Sequence, residues 1–249
     1  MNIGLYQSAA SMAALEHWQD AVAQNITSSQ IAGYRKRTVE FSAEDGGQWT
    51  LGQSGSANGD SSQTAQFPKA SNGINFLAGE TQPTGRDLDV AIQGEGFFQV
   101  QAADGTQGYT RNGDFSVRAD STLVDSSGQE VLSDAGTPIT LLPEGGKVTI
   151  NKDGSIVQGT TTIARLAVEQ FSDPSQLIPA PGGMYVAPSG MTPTPVAQPQ
   201  VLQGYTESSN VTPMREMVDM VLISRSYEAN QKLIKTADDE MQKTLDALG

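Results

Sequence analysis

Residues 214–248 contain neither glycine nor proline, the residue types that are least favourable inside a helix. An uninterrupted helix over this stretch extends roughly 50 Å at 1.5 Å per residue. Thr212 is a suitable N-cap, and Pro213 suits the first helical position because its φ angle is already helical. The sequence therefore predicts one long helix at the C-terminal end, beginning near Pro213.

Apolar side chains in this predicted helix recur every seven residues, at Met220, Tyr227, Ile234, Met241 and Leu248. The series expected to alternate with them is only half apolar and consists of Met217, Ser224, Gln231, Asp238 and Leu245. A stripe this narrow buries little surface unless a second helix covers it, as in a coiled coil. We therefore expect the C-terminal helix to need a partner.

Residues 1–30 also have the pattern of a helix, with apolar positions at three- and four-residue steps. These positions are Leu5, Ala9, Met12, Leu15, Val22 and Ile26. Alanine is frequent in this segment, and small side chains allow another helix to approach closely. We expect the two terminal helices to pack on each other and on other chains.

Between about Asp87 and Val201 apolar and polar residues alternate with the period of a β-strand. The segments "DLDVAI" and "FFQVQA" are strand candidates, and an Asp104-Gly105 turn follows the second. In "VTI-NKDG-SIV" we expect Gly154 to take the positive φ angle of a short hairpin loop. These features predict an α+β fold, in which the N- and C-terminal helices pair as a coiled coil and flank a central antiparallel β-rich domain.

The stretch 43–66 is polar and of low complexity, and its few apolar residues cannot offset the entropy lost on ordering. We interpret it as an extended connection that orders only against a neighbour. A proline-rich stretch at 179–200 marks the end of the β domain. We divide the chain into an N-terminal helix at 1–32, a polar linker at 33–86, a central β domain at 87–203 and a C-terminal helix at 204–249.

The composition argues against most catalytic and metal chemistry. The chain has no cysteine and one histidine, His17, so thiol enzymes, Cys-zinc sites and most triads are excluded. A formal net charge of −13 argues against nucleic acid as a partner. Asp87 and Asp89 alternate on a predicted strand, where a solvated face is the default interpretation. We predict no enzymatic activity, cofactor, metal or small-molecule substrate, and we expect no transmembrane helix and no cleaved signal peptide.

Three regions of the chain match the motifs of one known family. The first contains Ala23, Asn25 and Ile26, followed by the run from Gly33 to Lys36. The second comprises "DLDVAIQGEGFFQVQ" and "YTRNGDFSVRADSTLVDSSGQEVL". In the latter, Ser121 occupies a position where glycine is common. The third region is "LQGYTESSNVTPMREMVDMVLISRSYEANQKLIKTADD". Together they resemble the flagellar basal-body rod and hook proteins of bacteria. The chain length and the opening "IGLYQSA" are most similar to proximal rod members, with distal rod members second.

This resemblance implies a structural subunit that polymerises head-to-tail through its terminal helices into the tubular drive shaft. The shaft transmits torque and serves as an export channel. The implied partners are further copies of the chain, other rod proteins and the flagellar type III export apparatus, and the implied location is the basal body. Gly33 would let the chain turn out of the helical layer, and Tyr34 would anchor that exit. The alternative is a secreted β-domain binding module, such as an adhesin or glycan binder, whose two ends are dispensable.

The expected assembly interface draws on both ends of the chain. It consists of Leu5, Met12, Val22, Asn25, Ile26, Gly33, Tyr34, Asn210, Val211, Met217, Met220, Val221, Tyr227, Asn230, Ile234, Met241 and Leu245.

Overall fold

A computed structural model of the chain describes residues 3–50 and 62–248. The chain divides into two compact units, which are described one after the other. The helical unit consists of Met1–Thr27, Arg37–Ile74 and Thr212–Gly249. The β unit consists of Ser28–Lys36 and Asn75–Val211.

The predicted terminal helices are both present. Helix α1 spans Ile3–Ser28, and helix α2 spans Pro213–Leu248. At the start of α2 the carbonyl of Thr212 accepts hydrogen bonds from the backbone N–H groups of Arg215 and Glu216, at 2.9 and 3.2 Å. The predicted start of α2 at Pro213 is therefore confirmed.

The helical unit also contains a hairpin. Strand β1 (Arg37–Thr50) pairs antiparallel with strand β2 (Ser62–Ile74), and residues 51–61 between them lie outside the described residues. The Trp18 ring of α1 packs edge to face on the Phe41 ring of β1, with 5.8 Å between centroids. This hairpin was not predicted from the sequence. Val39, Phe41 and Ala43 alternate with polar residues at the start of β1, but the polar, glycine- and serine-rich stretch that follows favoured a linker.

The β unit is built from short strands. They are β3 (Thr81–Pro83), β4 (Val90–Gln93), β5 (Phe97–Gln101), β6 (Gln107–Thr110), β7 (Phe115–Val117), β8 (Leu123–Asp125), β9 (Glu130–Val131), β10 (Val148–Ile150), β11 (Ser155–Gln158), β12 (Thr161–Arg165), β13 (Val168–Gln170), β14 (Ile178–Pro179), β15 (Tyr185–Val186), β16 (Thr194–Pro195), β17 (Gln200–Gln203) and β18 (Tyr205–Glu207). Short 3₁₀ turns occur at Pro174–Gln176 and Pro181–Gly183.

The largest sheet has the strand order β14-β15-β6-β5-β9-β8-β7, and β13 pairs with both β5 and β16. Strands β10, β11 and β12 form a second sheet, and β4 and β3 pair with β17 and β18. The strand pairs are antiparallel, and their inward side chains form an apolar core around Phe98, Phe115 and Ile156. The α+β class with an antiparallel β-rich domain is confirmed.

Positive φ angles occur where turns were predicted. Gly105 has φ 85° between β5 and β6, and Gly154 has φ 84° between β10 and β11. Ser121, with φ 67°, is the one non-glycine residue with a positive φ among the described residues. The position where glycine is common in the family therefore does impose a left-handed conformation.

Two predicted strand carboxylates have different environments. Asp87 is exposed, with its carboxylate 3.3 Å from Nζ of Lys147. Asp89 is 1% exposed, and its carboxylate lies 2.8 Å from the guanidinium of Arg86, which also pairs with Asp114. The solvated-face interpretation is therefore wrong for Asp89, because a β-bridge to Asp114 holds this segment against the sheet.

Candidate functional site

Helix α2 directs one row of side chains toward the rest of the helical unit. Its buried or half-buried members are Glu216, Met220, Ile223, Tyr227, Asn230, Ile234 and Ala237. Steps of four and three residues alternate along this row, which is the heptad spacing of a coiled-coil seam. Met220, Tyr227 and Ile234 of the predicted series belong to this row, whereas Met241 of the same series is exposed. The series that alternates with it is the one through Ile223, and the predicted series through Ser224 is exposed.

Helix α1 carries a row with the same spacing. Its buried or half-buried members are Gln7, Ser11, Ala14, Trp18, Ala21 and Asn25. The predicted apolar stripe overlaps this face only in part: Val22 is buried next to the row, whereas Ala9 is exposed. Small and polar side chains dominate the row, so apolar content alone did not locate it.

Asn25 connects three parts of the helical unit. Its Nδ2 group donates to Oε2 of Glu216 on α2 at 2.9 Å and to the backbone carbonyl of Arg37 at 2.9 Å. Its Oδ1 atom accepts from the backbone N–H of Arg37 at 2.8 Å. Asn25 and Glu216 are 0% and 1% exposed, so these bonds hold the end of α1 to the start of α2 and of β1.

A cleft separates the helices further along. It has a volume of about 410 Å³ and is lined by Gly4, Gln7, Ser8 and Ser11 of α1 and by Asn230, Leu233, Ile234 and Ala237 of α2. Protein interiors are normally close-packed, so the two helices do not complete a packed interface at this end. The interface between α1 and α2 is therefore held by the Asn25 hydrogen bonds at one end and is open at the other.

Helix α2 presents two apolar surfaces that the described part of the helical unit leaves exposed. The outer stripe consists of Met214, Met217, Val218, Val221 and Leu222, which are between 47% and 72% exposed. The seam extension consists of Met241 and Leu245, at 47% and 65% exposed. Met241 continues the inner row one turn beyond Ala237, the last α2 residue that lines the cleft with α1, and Leu245 lies one further turn along the helix.

A cluster of charged side chains lies inside the β unit. Oε1 of Glu207 is 2.7 Å from Nη2 of Arg35, and Oε2 is 3.6 Å from Nη1 of Arg111. The backbone N–H of Gly79 donates to Oε1 at 2.8 Å. All three charged side chains are at least nine-tenths buried. Burial lowers the pKa of Arg111; the Glu207 carboxylate opposes that shift, and the neighbouring Arg35 charge adds to it.

Gly33 packs against this cluster, where a side chain would not fit. Its φ angle is 69°, and an added Cβ would lie 2.3 Å from the carbonyl carbon of Arg111. Its N–H donates to the backbone carbonyl of Glu207 at 2.6 Å. Any other residue here would therefore force the segment from Gly33 to Arg35 away from the β unit.

Asn210 makes contacts of the same kind as Asn25. Its Oδ1 accepts from the N–H of Lys36 at 2.7 Å, and its Nδ2 donates to the carbonyls of Asn75 and Leu77 at 2.8 and 2.9 Å. A side-chain amide that bonds several backbone groups fixes the course of irregular segments. Asn210 therefore joins the segments before β3 and before α2 within the β unit.

The structure distributes the predicted interface residues over three environments. Buried members are Val22, Asn25, Gly33, Tyr34 and Val211; half-buried members are Met12, Ile26, Asn210, Met220, Tyr227, Asn230 and Ile234; exposed members are Met217, Val221, Met241 and Leu245. The side chain of Leu5 lies outside the described residues. Val22 and Asn25 share the inner face of α1, whereas Gly33 and Tyr34 belong to the β unit.

The sequence patterns did not indicate that Glu207, Arg111 and Glu216 are buried and bind distant segments of the chain. Each lies in one of the quoted motifs, in "YTESSN", "YTRNG" and "PMREMV". Glu207 and Arg111 share a cluster with Arg35, which belongs to a third motif. The available signal was that each of these motifs contains a charged residue to which the sequence assigned no role.

Neither α1 nor α2, over its described residues, has an apolar stretch long enough to cross a membrane.

Comparison with known proteins gives two family matches. Residues 91–158 match the flagellar hook protein FlgE/F/G D1 domain. Residues 202–247 match the flagellar basal body rod FlgEFG protein C-terminal region. These segments cover most of the strands that build the core and nearly all of α2.

Whole-chain relatives are also found. The chain is 31% identical to the flagellar basal-body rod protein FlgF of Caulobacter vibrioides, over 100% of this chain and 99% of the relative. It is 30% identical to FlgF of Mesorhizobium japonicum, over 98% of both chains. Flagellar basal-body rod protein FlgG of Borreliella burgdorferi is 28% identical, over 94% of both chains.

Proposed function

The chain belongs to the flagellar basal-body rod protein family, a family of structural and non-enzymatic proteins, and we propose that it polymerises through its terminal helices into the rod. The relatives match across both ends of the chain. This favours the rod over a secreted binding module, whose ends would be dispensable.

The observation that carries the proposal is the outer stripe of α2. Its five apolar side chains fall at positions i, i+3, i+4, i+7 and i+8, which places them on one face of the helix. Fully burying one such side chain contributes about 1.5–3 kcal/mol. A contiguous apolar face of this kind marks a contact with another protein.

The inner rows of α1 and α2 support the coiled-coil part of the proposal. Both rows have alternating steps of three and four residues, and Asn25 already bonds to Glu216 at one end. The open cleft and the seam extension lie at the other end, where further apolar side chains would complete the packing. We infer that neighbouring subunits in the rod supply them.

The proposed assembly is head-to-tail, because the outer stripe and the seam extension are different surfaces. A contact between two different surfaces of identical subunits is heterologous and produces an open helical tube. The proposed partners are other copies of this chain, other rod and hook proteins, and the flagellar type III export apparatus. The proposed location is the basal body, where the tube would transmit torque and serve as an export channel.

A pair of double variants tests the proposal in a strain that lacks its own copy of the gene. Val218→Asp with Val221→Asp places carboxylates on the outer stripe. Ser224→Asp with Gln231→Asp makes the same charge change at exposed polar positions of α2. We expect isolated basal bodies to lack the first variant and to contain the second, while circular dichroism of both purified chains is unchanged. Equal incorporation of the two variants would contradict the proposal.

A further inference from the structure

A small pocket in the β unit is lined by two arginines. It has a volume of about 220 Å³, and the side chains of Arg35 and Arg111 line it together with the rings of Phe76, Phe97 and Phe171. Arg35 and Arg111 are 1% and 6% exposed. The guanidinium carbon of Arg111 lies 5.6 Å from the centre of the Phe97 ring, which orders this wall of the pocket.

The arginines keep unused donors. Nε and Nη1 of Arg35 and Nε of Arg111 are buried and make no hydrogen bond to any described residue. The other guanidinium nitrogens of the two arginines have partners. Nη2 of Arg35 and Nη1 of Arg111 face Glu207, and Nη2 of Arg111 donates to the carbonyl of Gly94. Buried donors without an acceptor are costly, so a ligand that accepts from them would be bound favourably.

The charges in the pocket favour an anion. Two buried guanidinium groups face one buried carboxylate, that of Glu207, so one positive charge has no buried partner. Glu95 also lines the pocket, and its charge acts on Arg111, but its side chain is exposed, where solvent screens the interaction. A carboxylate accepts charge-assisted hydrogen bonds from a guanidinium, and Nε and Nη1 of Arg35 are the donors that remain for it, because Nη2 is bonded to Glu207.

The size of the pocket indicates what carries the anion. Sites for drug-sized molecules usually have volumes of about 300–1,000 Å³, and this pocket is smaller. It has room for one side chain that ends in a carboxylate, whose methylene groups would contact Phe76, Phe97 and Phe171. Chains of this protein carry 28 acidic residues against 15 basic ones, so acidic side chains are abundant on the subunits themselves.

We propose that this pocket binds a carboxylate side chain of an adjoining rod subunit. The inference rests on the proposed function, because only an assembly presents such a side chain at a fixed position. It assigns to the β unit a contact that is separate from the helical surfaces described above.

Binding is measured on the full-length chain labelled with ¹⁵N-arginine, with sodium benzoate as the probe. Benzoate combines a ring for the aromatic wall with a carboxylate for the arginines, and benzamide is its neutral counterpart. We expect benzoate to shift the Nε–H resonances of Arg35 and Arg111 with a dissociation constant of about 1–10 mM, and benzamide to leave them unchanged. The same shifts with benzamide or with sodium chloride, or no shift with benzoate, would overturn the proposal.

A blocking variant provides the second readout without breaking the charge cluster. Ser172 is exposed and lines the pocket, so Ser172→Trp fills the entrance; Ser116→Trp on an exposed position of β7 is the matched control. We expect Ser172→Trp to weaken benzoate binding at least about tenfold and to reduce incorporation into basal bodies, with no effect of Ser116→Trp. Equal incorporation of the two variants would overturn the pocket's role.

The proposed function and the pocket can fail separately. If the unaltered gene does not restore rods in the deletion strain, the proposed function fails. If it restores them and Ser172→Trp does so equally well, only the pocket proposal fails.

Discussion

Asn25 donates a hydrogen bond to Glu216 across 2.9 Å, although the two residues are 191 positions apart in the chain. Both side chains are buried, and Asn25 at the same time bonds the N–H and C=O groups of Arg37. The side-chain amide of Asn25 therefore binds the end of α1 to the starts of α2 and β1. This bond connects the C-terminal end of α1 to the N-terminal end of α2.

Asn25→Ala should destabilise the helical unit by about 2–4 kcal/mol, because it removes one partner of the buried Glu216 carboxylate and leaves the backbone of Arg37 without its side-chain partner. Both tryptophans of the chain belong to the helical unit, so tryptophan fluorescence during urea unfolding reports on it selectively. Gln19→Ala on an exposed position of α1 is the control. Equal losses in the two variants would show that the Asn25 bonds contribute nothing specific.

Tyr227→Asp combined with Ile234→Asp should prevent incorporation into the rod, because both side chains belong to the inner row of α2. Carboxylates there would be buried against α1 and its neighbours without counter-charges. The β unit should remain folded, which the dispersion of its amide NMR signals reports. Rods that form normally with both substitutions would refute a coiled-coil role for this row.

Ser121→Gly should stabilise the β unit by about 1 kcal/mol. Ser121 has φ 67°, a conformation that costs non-glycine residues roughly 1–2 kcal/mol, and glycine loses part of that gain through its more flexible unfolded state. The measurement is the thermal midpoint in calorimetry. Ser121→Ala keeps the Cβ and should leave the midpoint nearly unchanged; a midpoint that falls in the glycine variant would contradict the strain argument.

The Asp125 carboxyl group should lower the free energy of unfolding as the pH rises. Burial raises its pKa in the folded chain, and the hydrogen bonds from the N–H groups of Gln129 and Ser127 only partly oppose that shift. The folded state therefore binds this proton more tightly than the unfolded state. The resulting stability is present below the ordinary aspartate pKa of about 3.9 and is lost as the pH rises through the higher folded pKa.

The test compares the free energy of unfolding between the acid range and neutrality in two variants. Asp125→Asn should remove the contribution to the free energy of unfolding that falls as the pH rises. Asp120 has a pKa lowered by its hydrogen bonds with the N–H of Thr122, so its stabilisation is lost as the pH falls, and Asp120→Asn should remove a contribution of the opposite sign. Identical pH profiles for Asp125→Asn and the unaltered chain would exclude a raised pKa at Asp125.

The sequence determined those features whose cause lies within a few neighbouring residues. Helix α2 starts at Pro213 because Thr212 and Pro213 are together suited to a helix N-terminus, and the hairpin of β10 and β11 turns at Gly154 because glycine accepts a positive φ. The family was also evident from sequence, since its motifs are local runs of residues.

The tertiary structure decided which residues meet. A seven-residue repeat through Tyr227 is compatible with partner positions three residues on either side, and only packing selected the row through Ile223 over the one through Ser224. The β1–β2 hairpin followed from pairing that its polar residues did not indicate. The cluster of Arg35, Arg111 and Glu207 depends on burial and on ion pairs between distant segments, and neither leaves a periodic pattern in the sequence.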